Sequence, residues 1–137
     1  MTEYQNAEAV KQSVRQSWDK TAAGWHKWMD VFAAWANPMS QIMFEMAHVS
    51  PGQRVLDVAA GDGQQAILAA EQMGKTGYVL STDFSAEFAD MAIQRVQAAG
   101  LTNVEVSTMD GENLKLEDNS FNTVLCRLGL MFFPNPQ

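Results

Sequence analysis

The run Arg54-Val55-Leu56-Asp57-Val58-Ala59-Ala60-Gly61-Asp62-Gly63 most restricts what this chain can become. Val55 to Val58 is short and mostly apolar, which predicts a buried strand over 54–59. The strand ends in residues too small to block an approach. A helical pattern then opens from about Gly63 to Met73 and is closed by Gly74. A strand, a tight turn and a helix in that order let a ligand lie directly on the backbone. Asp57 sits inside the strand. A carboxylate is costly to bury alone, so it is expected to face a polar ligand or the turn's own amides. Ala59 stands where a G-x-G-x-x-G fingerprint has its first glycine, and Gln65 or Ala66 where it has its third. The dinucleotide pattern is therefore not met. An alanine at 59 fits the turn if its φ stays below zero.

Three more strand patterns follow. Residues 77–82 end in Asp83, residues 103–108 lead to Asp110-Gly111-Glu112, and residues 122–127 follow Asp118-Asn119-Ser120-Phe121-Asn122. Between them lies a helix with Ser85 at its N-cap, an apolar face of Phe88, Met91, Ala92, Val96 and Ala99, and Gly100 at C′. Alternating strands and helices imply a parallel sheet with right-handed crossovers. The carboxyl ends of its strands form one crevice, and here each end carries small or acidic residues. Asp83 reads either as a helix cap or as an acceptor for ribose hydroxyls, a role such an acid also has in NAD enzymes. Asp110-Gly111 reads either as a plain turn or as part of a binding loop.

Ahead of the sheet, Tyr4, Ala7, Val10, Val14 and Trp18 recur at helical spacing, and the stretch Trp25 to Trp35 is helical in character. Asn37-Pro38 predicts an N-cap and first-turn proline for a third helix that shows Met39, Ile42, Met43 and Met46 on one face. Ser50-Pro51-Gly52 ends it. Trp18, Trp25, Trp28 and Trp35 read mainly as packing residues. His26 is the histidine placed to act as a general base; His48 falls at a helix end.

The 137 residues suit one domain, and 47% apolar content supports a core. A net charge of −7 with no basic run argues against a nucleic-acid surface. The one cysteine, Cys126, excludes an internal disulfide and a cysteine-rich zinc site, and fits a reducing cytoplasm. The N-terminus lacks a signal-peptide pattern, and no run reaches the roughly 18 apolar residues of a membrane span. No metal site is expected.

The ordered set Asp57, Gly61, Gly63, Asp83 and Asp110 resembles the class I S-adenosylmethionine-dependent methyltransferases. The likeness is to the small-molecule branch related to the ubiquinone/menaquinone biosynthesis methyltransferases (methyltransferase type 11), and it covers roughly residues 18–137. It implies an α/β, Rossmann-like fold with strand order 3-2-1-4. It implies residues 1–50 as a helical lid over the cofactor and residues 51–137 as the cofactor-binding domain. The cofactor would be S-adenosylmethionine and the methyl acceptor a small molecule. Backbone groups of Ala59, Ala60, Gly61 and Gly63 would form the turn that meets the methionine end, with Asp57 near its ammonium. Asp83 would hold the ribose, and Phe84 and Met109 would line the adenine. Asp110 and Gly111 would meet the adenine edge. The segment 121–133 matches the family's fourth-strand region, with Asn122 where relatives often have Asp. Arg127 and Leu128 would lie beside the reacting methyl; Arg127 either orients an anionic or carbonyl-bearing acceptor or reaches to solvent.

In that family a fifth strand follows the fourth, so this chain reads as truncated after strand four. Strand 122–127 has no proline or lysine to guard an edge, and 128–133 is apolar. That predicts a homodimer or domain exchange through those residues. Two other functions are open: a non-catalytic cofactor-binding or assembly module, and an NAD-dependent oxidoreductase.

Overall fold

A computed structural model describes residues 3–136, with side chains from Asn6 to Pro136; the Tyr4 side chain lies outside the described residues. The elements are α1 (Glu3–Met46), β1 (Arg54–Val58), α2 (Gln64–Met73), β2 (Tyr78–Asp83), α3 (Ala86–Ala98), β3 (Val104–Thr108), β4 (Thr123–Leu125) and a 3₁₀ turn over Leu130–Phe132. The sheet order is β3-β2-β1-β4 and every pair is parallel. The expected architecture is thus borne out. β1 takes the centre because it is apolar on both faces, and four of its five residues are buried.

The pleat divides the core. Val55 points with Val79 and Leu125 toward α2, where Ala66, Ala69, Ala70 and Met73 meet them. Leu56, Val58 and Leu80 point the other way, against Leu114, Leu116, Phe121 and Phe133. Asp57 shares the face of Val55, since side chains alternate along a strand. It therefore looks at α2. Ser85 caps α3 by accepting from the Phe88 amide at 3.2 Å, and Gly100 follows the helix's last residues as expected.

The N-terminal region differs from the sequence expectation. One helix of 44 residues runs through Pro38, where three helices were expected. An interior proline removes a backbone hydrogen bond and costs about 3 kcal/mol. Tertiary contacts on both sides outweigh it. Ala36 and Ser40 are fully buried, and Phe44 enters the core below them. Arg127 reaches up to the same segment, donating to Ser40 Oγ at 2.5 Å and to the Ala36 carbonyl at 3.4 Å. Asn37 does not cap; its Oδ1 is buried without a partner among the described residues.

The fourth strand is also shorter than 122–127. It pairs over Thr123–Leu125 only, and the chain then turns away through Leu128 at φ +63°. Asn122 instead fastens the strand's start, accepting from the Arg54 amide at 2.8 Å. No described strand pairs with the outer side of β4. Val124 there is 62% exposed and Met131 69% exposed.

Candidate active site

The turn after β1 is fixed by the neighbouring strand. The Ala60 amide donates to the Thr82 carbonyl at 2.9 Å, and the Gly61 amide donates to Asp83 Oδ2 at 2.8 Å. This geometry throws Ala59 into the left-handed region at φ +53°, against the expectation of a negative φ. The strain costs about 1–2 kcal/mol. Close packing maintains it: Gly129 lies so near that a Cβ there would fall 2.5 Å from the Ala59 methyl.

Asp83 uses both oxygens within the protein. Oδ2 takes the Gly61 amide, and Oδ1 takes the Ser85 amide at 2.9 Å. One carboxylate therefore joins the glycine turn to the start of α3, while also lining the cavity. Burial pushes its pKa up, and the amide hydrogen bonds only partly oppose this. Asp83→Ala should cost about 1.5–3 kcal/mol of stability, because two amides lose a charged acceptor. Thermal melts of the two proteins check this. An unchanged midpoint would show that water replaces the carboxylate freely.

Asp110, after β3, is engaged from above. Lys11 of α1 lies 2.7 Å from Asp110 Oδ2 and 3.2 Å from Glu112 Oε2. The hydrogen bond to Asp110 is the main reason the Lys11 pKa is raised. Asp110 Oδ1 accepts from the Glu112 amide at 2.9 Å. α1 is also tied to the α3 cap, where Ser85 Oγ donates to Asp19 Oδ1 at 2.5 Å, and to the turn, where Trp25 Nε1 donates to Asp62 Oδ2 at 3.3 Å. Asp62 is buried beside Arg95, 2.5 Å from its Nη1.

Asp57 meets neither the turn's amides nor the cavity wall. Its Oδ1 accepts from Gln65 Nε2 at 2.9 Å, while Oδ2 is buried without a partner among the described residues. Burial pushes its pKa up to about 7, outweighing the Gln65 hydrogen bond and the nearby Arg127 charge. Gln65 Oε1 in turn accepts from Ser40 Oγ at 2.9 Å. A chain of side chains thus runs from the sheet interior through α2 to α1 and Arg127.

These elements enclose a cavity of about 380 Å³ at the carboxyl ends of the strands. Ala59, Ala60, Gly61, Asp83, Phe84 and Met109 line it, as do Asp110, Gly111 and Arg127. Asp57 and Gly63 do not line it. His26 is exposed on α1, away from the cavity. The sequence reading expected residues 1–50 as a lid but did not identify the stripe of α1 that forms the wall. Lys11, Trp18, Trp25 and Phe32 all face inward. They recur every seven residues, close to two helical turns, and that repeat was the available signal. Trp18 meets Phe88 and Phe132 edge-on at 5.8 and 5.2 Å, which closes the apolar wall.

A parallel sheet ordered 3-2-1-4, with its crevice built from a small-residue turn after β1 and acids after β2 and β3, defines the Rossmann-like class I methyltransferase class. A family model described as a methyltransferase domain matches residues 55–137. This chain belongs to the class I S-adenosylmethionine-dependent methyltransferases. A Mycobacterium tuberculosis protein of uncharacterised function is 35% identical over 127 residues, covering 87% of this chain and 44% of the relative. A demethylmenaquinone methyltransferase of Bacillus cereus is 34% identical over 102 residues, covering 74% of this chain and 41% of the relative. Among solved structures, a SAM-dependent methyltransferase of Aquifex aeolicus superposes with TM-score 0.66 at 25% identity, covering 71% of this chain and 52% of that one. A Methanococcus maripaludis structure superposes with TM-score 0.73 at 20% identity, covering 83% and 52%, and shows the shared fold. The chain spans less than half the length of the curated relatives it matches.

Proposed function

We propose that this chain is the cofactor-binding part of an S-adenosylmethionine-dependent methyltransferase that acts on a small molecule. The observation that carries the reading is the convergence of the Ala59–Gly61 turn, Asp83 and Asp110 on one cavity. The donor set suits the cofactor. Asp83 and Asp110 are acceptors placed for a ribose and an amino group, and the aromatic wall suits a planar base. The cofactor, when bound, supplies a methyl group on a positively charged sulfur that is a good leaving group. The protein's task is then to align the acceptor and exclude water. Trp18, Trp25, Phe32 and Phe88 serve exclusion, and residues 1–50 act as a lid.

Calorimetry with S-adenosylhomocysteine and with NAD tests this. Binding heat is expected for the first and none for the second. Heat with NAD alone would overturn the reading in favour of an oxidoreductase. We place the protein in the cytoplasm. The open β4 edge and the apolar 128–133 segment support a homodimer or a domain exchange there. Light scattering at low micromolar concentration is expected to give twice the chain mass, and a clean monomer would refute the dimer.

A further inference from the structure

Of the cations that line the cavity, Lys11 is paired with Asp110 and Glu112, whereas Arg15 and Arg127 have no carboxylate within ion-pair distance among the described residues. Arg15 lies over Phe84 after β2, its Cζ 5.5 Å from the ring centre. Arg127 lines the same cavity, yet its hydrogen bonds among the described residues go to two neutral oxygens, Ala36 O and Ser40 Oγ. Both leave from Nη1. The rest of the fork has no acceptor among the described residues, and no carboxylate lies within ion-pair distance. Asp57 is turned to Gln65 and Asp62 to Arg95. Burial pulls the Arg127 pKa down, but a guanidinium stays charged in proteins. A half-buried, planar cation without a carboxylate is a receptor in want of an anion.

Its place in the cavity says which anion. Asp110 follows β3 and Arg127 follows β4, the two outer strands of four. Three strand spacings of roughly 4.8 Å separate them, or about 14 Å. The adenine end is therefore remote. Around Arg127 the wall is apolar and aromatic: its Cζ lies 5.7 Å from the Phe32 ring centre, and Trp25, Trp35 and Leu128 line the same region.

We infer that Arg127 is the receptor for an oxyanion carried by the methyl acceptor, and that Ser40 is the positioning residue that aims it. The acceptor is then an acidic compound with a flat apolar body. This rests on the methyltransferase reading above. Ser40 is fully buried and serves two partners, accepting from Arg127 and donating to Gln65 Oε1. Gln65 is held by Asp57. The guanidinium is thus referenced to β1 through α1 and α2, so its direction depends on α1 being docked.

Benzoate and its neutral analogue benzamide are the probes, with tryptophan fluorescence as the readout, since Trp18, Trp25 and Trp35 line the cavity. Both are titrated with and without S-adenosylhomocysteine. Benzoate should bind about tenfold more tightly than benzamide, the effect of a charge-assisted hydrogen bond. Arg127→Met should abolish that ratio, and Ser40→Ala should reduce it about threefold or more while its S-adenosylhomocysteine affinity stays within twofold of the parent. If Arg127→Met does not melt cooperatively, neutral Arg127→Gln replaces it. Equal binding of the two probes by the parent protein overturns the receptor, as does a ratio that survives loss of Arg127. A full ratio in Ser40→Ala overturns the positioning role. Loss of S-adenosylhomocysteine affinity in step with the ratio would assign Arg127 to the cofactor's own carboxylate instead. Absence of S-adenosylhomocysteine binding by the parent would sink the methyltransferase reading, while the probe ratio still decides the receptor.

Discussion

The parent protein is expected to lose stability between about pH 4 and pH 7, and Asp57→Asn should flatten that fall. An unfolded aspartate titrates near 3.9. In the folded protein burial holds the Asp57 pKa at about 7. Between these values the folded state binds more protons than the unfolded one, so stability drops as pH rises and levels off above about 7. Three pKa units correspond to about 4 kcal/mol, an upper figure for a fully buried group. Asparagine cannot ionise and keeps an oxygen for Gln65. Its NH₂ would meet no acceptor, at a cost of about 1–3 kcal/mol. The variant should therefore be the more stable protein at pH 8 by about 1–3 kcal/mol and the less stable one at pH 4. Asp83, whose pKa is also raised by burial, leaves a smaller slope of the same sign. Urea midpoints across this range check the effect. Parallel pH curves for the two proteins would show that Asp57 ionises as in water.

The second large effect is at the start of α2. Gly63 has φ +79°, and a Cβ there would fall 2.9 Å from the Ala92 Cβ and 3.3 Å from its Cα. Gly63→Ala therefore adds left-handed strain of about 1–2 kcal/mol to overpacking of about 1–3 kcal/mol. α2 and α3 must separate to admit the methyl, and the turn beneath the cavity moves with α2. The melting midpoint should fall by about 8–20 °C at roughly 4 °C per kcal/mol. Gly74→Ala is the comparison. Its φ is +69°, but no atom lies within 4 Å of the added Cβ, so only the strain should appear. Equal losses in the two variants would mean that the contact with Ala92 relaxes without cost.

Several parts of this protein were legible in its sequence because their causes are local. The run 54–63 specified a buried strand, a tight turn and a helix, since apolar periodicity and glycine conformations act over a few residues. Ser85 announced the cap of α3 in the same way. The parallel sheet followed from β/α alternation, and its strand order from the family resemblance. Nine of the eleven residues expected at the cofactor line one cavity, because strand ends in a parallel sheet share a side.

Only the tertiary structure decided the rest. Pro38 is a local stop signal, yet burial of Ala36, Ser40 and Phe44 carries α1 through it. Ala59 adopts a positive φ because the turn is tied to Thr82 and Asp83 on the next strand. Asp57 pairs with Gln65 because strand alternation points it at α2, which was unknowable until the register was set. The contacts of Lys11 with Asp110 and of Arg127 with Ser40 span 99 and 87 residues of chain. No spacing rule reaches that far. Sequence determined which segments could bind a ligand; packing of α1 across the strand ends determined what surrounds it.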